Sequence, residues 1–196
     1  MLSLNAAFWI MVLLFALVGA MRGWTKEIVV TSALILALFT LNQFFPTVFS
    51  FIGWDNNIVQ TPEIRRWQFF ILSGFLLVLA FFGYQGPSLA RGRAERLARR
   101  DNLQDKLLGF LVGALNGWLI VGSIWSFLEY RAVSASNWVR FTPDIAYPFT
   151  TVNIVRPAPD LAPFIDNLPI PVLTASPYFL PLLLVVVFLF ILVVLL

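Results

Sequence analysis

Five stretches of this chain are uncharged, almost wholly apolar and long: Leu4–Ala20, Ile28–Ile52, Trp67–Tyr84, Leu107–Leu128 and Tyr178–Leu196. A bilayer core of about 30 Å takes roughly 20 apolar residues of helix to cross. Inside lipid every backbone N–H and C=O must find a partner within the protein, which leaves helices or closed barrels. Barrel strands would alternate polar and apolar over about 10 residues, and these stretches do neither. The sequence therefore predicts an all-α integral membrane protein of about five transmembrane helices, a four-helix core plus a C-terminal helix. The first stretch reads as a retained span. Met1–Phe8 is uncharged and the basic residues follow the apolar run, the reverse of a cleaved signal peptide.

Basic residues set the expected orientation. The short connection after the first helix carries Arg22 and Lys26, and the one before the fourth carries Arg91, Arg93, Arg96, Arg99, Arg100 and Lys106. Short loops rich in Lys and Arg stay cytoplasmic, so the N-terminus is expected outside and the C-terminus in the cytoplasm. Residues 87–106 read as a basic interfacial helix whose arginines contact anionic lipid headgroups. The organisation is then a membrane core over 1–128 (helices about 4–20, 28–52, 67–84 and 107–128), a Pro-rich extracytoplasmic segment over 129–177, and a C-terminal transmembrane helix over 178–196. The middle segment holds eight of the twelve prolines, with aromatics between them. Its expected form is mostly extended chain packed over the helices.

Helices in lipid meet through small residues that let backbones approach. At helical spacing Gly109, Gly113, Asn116, Gly117 and Ser123 share one face of the fourth helix. Gly19 and Gly23 lie with Asn5, Val12 and Ala16 on one side of the first. The first and fourth helices are expected to pack closely through these faces. Counting about 1.5 Å per residue from the cytoplasmic side puts Asn42 of the second helix near the depth of Ser123, so a hydrogen bond is expected between them. Pro46, just beyond, is placed to kink or break that helix.

Two stretches carry a resemblance. Gly19-x-x-Arg22-Gly23-Trp24-x-Lys26-Glu27 follows the first helix. Asp105-Lys106-x-x-Gly109-x-x-x-Gly113-Ala114-x-Asn116-Gly117 opens the fourth. In order and spacing they resemble the colicin V production protein (CvpA) family of bacterial inner-membrane proteins, over the first four helices. The resemblance implies a bacterial inner (plasma) membrane location and an association with export or envelope maintenance. Two positions depart from the family's habit. Asn5 stands where an acidic residue is usual, and Asn116 where a basic one is usual. Arg22, Lys26, Glu27, Asp105 and Lys106 all fall at the cytoplasmic boundary. Asp105 is expected to pair with Arg22 or Lys26 as a latch between the first and fourth helices.

Chemistry has little to work with. The chain has no Cys and no His, and no ionisable group lies inside the apolar runs, where ion-coupled transporters keep theirs. The expectation is no enzyme, no cofactor, no metal and no catalytic residue, with no nucleic acid or small-molecule substrate as partner. The leading reading is a membrane scaffold or accessory protein that assembles, with itself or with other membrane proteins, through its small-residue faces. The alternatives are an oligomeric channel or export component, and a small subunit of a larger energy-converting complex.

Overall fold

The computed structural model describes residues 3–54, 58–85, 102–149, 156–157 and 161–195. In chain order the elements are α1 (Leu4–Arg22), α2 (Trp24–Phe51), α3 (Pro62–Gln85), α4 (Asn102–Glu129), β1 (Tyr130–Ser134), β2 (Asn137–Arg140), α5 (Ala162–Ile165), α6 (Pro169–Leu173) and α7 (Phe179–Leu195). Four of them, α1 to α4, are long and apolar enough to cross a bilayer. The basic stretch holding Arg91, Arg93, Arg96, Arg99 and Arg100 lies outside the described residues.

Local chemistry sets the helix ends. Ser3 caps α1, its hydroxyl accepting from the Ala6 N–H at 3.2 Å. A single residue, Gly23, separates α1 from α2, at φ 86° and ψ 153°, a region open in practice only to glycine. α2 closes on Gly53, whose N–H donates to the Ser50 carbonyl while Trp54 N–H donates to Phe49. That pair of bonds, with Gly53 at φ 84°, is a Schellman ending. Thr61-Pro62-Glu63 starts α3 with a hydroxyl cap, a proline that has no N–H to lose and an acid in the first turn. Pro46 lies inside α2 without ending it, and the helix runs on to Phe51.

α1 runs antiparallel to α4, backbone against backbone. A Cβ added to Gly19 would collide with the Gly109 carbonyl and sit 2.7 Å from the Gly113 Cα. One added to Gly113 would sit 2.5 Å from the Phe15 carbonyl oxygen, and one on Gly117 3.0 Å from the Val12 Cα. These small-residue faces are therefore filled within one chain and present nothing to a second molecule. Assembly with partners through them does not fit the structure. The central core lies among α2, α3 and α4, where Leu34, Leu38, Leu41, Leu76, Leu119 and Ile120 are each at most 3% exposed. Outward, Trp9, Leu13, Leu17, Phe81, Leu111 and Val185 stand about half exposed, the pattern of helices whose solvent is lipid.

Asn42 bonds elsewhere than expected. α2 and α4 run parallel with Glu27 opposite Asn116, because α4 begins at Asn102, well before its apolar run. Ser123, two turns beyond Asn116, is thereby level with Leu34, and its hydroxyl has no partner among the described residues. Asn42 instead reaches past the end of α4 to the β1–β2 hairpin. Its side-chain oxygen accepts from the Ser136 N–H at 3.1 Å and from Trp138 Nε1 at 2.9 Å. Its amide donates to Ser136 Oγ at 3.0 Å.

The Pro-rich segment is also more structured than extended chain. It opens with an antiparallel hairpin, bulged between Ala132 and Ser134, and later forms two short helices. Proline suits their first turns, where an N–H would go unpaired anyway. Pro169 is the first residue of α6. It packs over Gly122, where a Cβ would lie 2.9 Å from its Cγ. Phe164 wedges its ring against Phe8 of α1 and Trp125 of α4, at 5.1 and 5.3 Å between centroids.

Candidate functional site

Two fully buried carboxylates, Glu27 and Glu129, mark opposite ends of the bundle. At the Gly23 end, Glu27 sits in the first turn of α2, where the helix dipole favours negative charge. It accepts from Arg22 Nε at 2.8 Å and from Asn116 Nδ2 at 2.9 Å, with the Tyr84 hydroxyl at 3.4 Å. Arg22 lies over the Tyr84 ring at 4.7 Å and donates to the Tyr84 carbonyl at 3.2 Å. The Asn116 amide also reaches the Glu27 carbonyl at 3.0 Å, and its oxygen accepts from the Thr31 hydroxyl at 2.7 Å. All four long helices meet on this one carboxylate.

The expected latch is built differently. Among the described residues no ion pair joins Asp105 to Arg22 or Lys26. Asp105 Oδ1 accepts from the Trp24 N–H at 3.3 Å, capping a helix that begins directly after a glycine with no side chain to do so. The φ of Gly23 requires a glycine, and a Cβ there would also stand 2.6 Å from Asp105 Oδ2 and push the capping carboxylate aside. Arg22 is drawn to Glu27 instead, five residues away across the break. Lys26 and Lys106 are exposed and belong to no such cluster. Gly19, Gly23, Gly109, Gly113 and Gly117 lie along the α1–α4 contact. Asn116 points into the polar network, and Ser123 is buried apart from it.

At the other end Glu129 is the last residue of α4, where the helix dipole disfavours a negative charge. The compensation comes from the segment that follows. Arg156 pairs with it at 2.5 Å, Arg140 stands at 3.8 Å, and the Tyr147 hydroxyl donates to it. Trp125 Nε1 donates to that same hydroxyl at 3.1 Å. Arg156 also donates to the carbonyls of Phe141, at 2.8 Å, and Thr142. Arg140 and the Tyr130 hydroxyl both donate to Asp166, at 3.0 and 2.9 Å. Burial foremost, then the hydrogen-bonded carboxylate, pushes the Tyr130 and Tyr147 phenols above the ordinary tyrosine range. Both stay neutral donors.

Neither the apolar runs nor the basic connections that set orientation mark Glu129, Arg140 or Arg156 as partners. The available signal was an acid closing an apolar run. Such a group is tolerated at a helix C-terminus only with cations brought to it.

A model of the family described as colicin V production protein matches residues 4–142. The chain belongs to that family. No curated protein and no solved structure matches. The colicin V production protein match takes in the whole Glu27 network and runs through the hairpin. Tyr147, Arg156 and Asp166 lie beyond it. The Gly23-end network is thus contained in the family region, whereas the Glu129 clasp is completed by residues outside it.

Proposed function

We propose that this chain is a non-catalytic multi-pass scaffold or accessory protein of the bacterial inner membrane, assembling with copies of itself or with other membrane proteins. One observation carries the reading: both buried carboxylates are enclosed by donors that tie structural elements together. Glu27 accepts from three side chains on three different helices. Glu129 accepts from Arg156 and Tyr147 of the segment that closes over the bundle. Charges held this way fix a shape rather than await a substrate. With the glycine faces used internally, the surfaces left for assembly are the apolar outward faces of the long helices and of α7, such as Leu13, Leu36, Phe81, Leu111 and Val185. The remaining parts of the reading are α7 as a fifth span, the N-terminus outside and the C-terminus in the cytoplasm, and the basic 87–106 segment on anionic headgroups.

Native mass spectrometry of the chain extracted in mild detergent tests it. A complex of fixed stoichiometry, with itself or with a co-purifying membrane protein, is the expected result. A monomer that conducts ions when reconstituted alone into liposomes would overturn it in favour of a transport function.

A further inference from the structure

At the hairpin end two small adjoining clefts lie between the start of α3 and the segment that follows α4. They have volumes of about 20 and 10 Å³ and share Arg65, Gln68, Arg131 and Phe141 in their walls. Tyr130 lines the first and Gln60 the second, and among the described residues no acidic one lines either. Arg65 is 7% exposed. Among the described residues it forms no ion pair with a carboxylate. What holds it is the Ala146 carbonyl, 3.0 Å from Nη1, and the Phe141 ring, 4.3 Å from the guanidinium carbon. A buried cation held only by a carbonyl and a ring face is under-compensated.

We propose that this donor-lined cleft binds the phosphate of an anionic phospholipid headgroup. Guanidinium groups present a planar fork of N–H donors that matches phosphate oxygens in pairs, and the glutamine amides add neutral donors beside them. The volumes admit phosphoryl oxygens and leave the rest of a headgroup outside. With α3 spanning the membrane as proposed above, that outside is the membrane interface. Exposed Ile58 lines the second cleft, and exposed Trp67 stands two residues after Arg65 on α3, a ring of the kind that settles at headgroup level. A lipid covers those apolar groups while oxygens of its phosphate enter the clefts. A free phosphate ion gains nothing from them.

The test uses the full chain in detergent with dioleoyl phosphatidylglycerol, dioleoyl phosphatidylcholine or inorganic phosphate added, the bound lipid being counted by native mass spectrometry. Phosphatidylglycerol is expected to bind in preference to phosphatidylcholine. Arg131→Gln, at a half-buried position, is expected to weaken the first bound phosphatidylglycerol about tenfold. Arg65→Lys, which keeps the charge and loses the fork, is expected to weaken it by a smaller factor. Arg66→Gln, at an exposed neighbour outside the cleft, is expected to leave it unchanged. Melting temperatures identify any variant that has simply unfolded, and Arg131→Gln keeps the test decisive if Arg65→Lys does. Equal retention of the two lipids, or a loss in Arg66→Gln as large as in Arg131→Gln, overturns the proposal. So does inorganic phosphate that stabilises the chain as well as phosphatidylglycerol does, which would make the ligand a soluble anion.

Discussion

Glu27 and Asp105 bear the same charge at the same end of the bundle, and each holds a different kind of group. Glu27 neutralises a guanidinium and receives an amide in a site with no exposure. Asp105 receives one backbone N–H in a half-buried site. Neutralising each carboxylate should therefore have unequal effects. Glu27→Gln leaves Arg22 without its counter-charge and turns an amide donor toward groups that are themselves donors, at a cost of about 2 kcal/mol. Asp105→Asn keeps an oxygen that can cap Trp24 and should cost under about 1 kcal/mol. Thermal unfolding in detergent measures both, and an Asp105→Asn variant as unstable as Glu27→Gln would contradict the assignment. The same geometry implies that reversing Asp105 to Arg gains no rescue from Arg22→Asp, because the two side chains are not partners.

Between elements, backbone contact decides what a residue can become. A Cβ on Gly113 would meet the Phe15 carbonyl at 2.5 Å and the Gly19 Cα at 2.9 Å. Neither atom can swing aside, so Gly113→Ala must part α1 from α4. Gly74 of α3 has nothing within 4 Å of an added Cβ, and Gly74→Ala should be neutral or stabilising by about 0.5–1 kcal/mol. Comparing the two melting temperatures separates close packing from helix propensity, since propensity alone would make both changes favourable. The helices themselves were legible because their periodic apolar runs and glycine spacing are written along one strand of sequence. The offset between neighbouring helices was not. It depends on where the Trp24 N–H and the Glu27 carboxylate find acceptors and donors on α4, and a wrong offset sent Asn42 to Ser123 instead of to the hairpin. That correction is itself testable. Asn42→Leu strips the acceptor from Ser136 N–H and Trp138 Nε1 and should cost about 1–3 kcal/mol. Amide exchange should rise in β1 and β2 while α2 stays protected. Unchanged exchange in the hairpin would mean that Asn42 does not hold it.

On the scale of the whole molecule, one buried charge fastens the Pro-rich segment to the end of α4, beside the apolar contacts of Phe164 and Pro169. Glu129 anchors Arg156 and Tyr147 directly, while Arg140 reaches it and Asp166 together. Glu129→Gln breaks a buried ion pair and should cost about 3–5 kcal/mol. The loss should fall first on the residues that Glu129 holds directly, Tyr147 and Arg156, because the four helices keep a core around Leu34, Leu38, Leu76 and Leu119, which Ile170 and Leu173 of the segment share. Limited proteolysis should then cut the segment after β2 while the four-helix fragment stays intact. The phenols give an independent reading of the same clasp. Tyr130 and Tyr147 have folded pKa values above their unfolded ones, with burial the larger cause and Asp166 or Glu129 the next. An acid shifted upward stabilises the fold below its unfolded pKa of about 10 and loses that contribution as pH rises through the folded value. The segment should therefore stay docked through neutral and mildly alkaline pH and release only beyond the range where free tyrosine ionises. In Glu129→Gln the repulsion between carboxylate and phenolate is gone, so Tyr147 should ionise at lower pH than in the parent chain, while its burial keeps it above free tyrosine. The tyrosinate absorbance band, followed against pH in both proteins, measures this. Identical titrations would show that Tyr147 does not rest on Glu129.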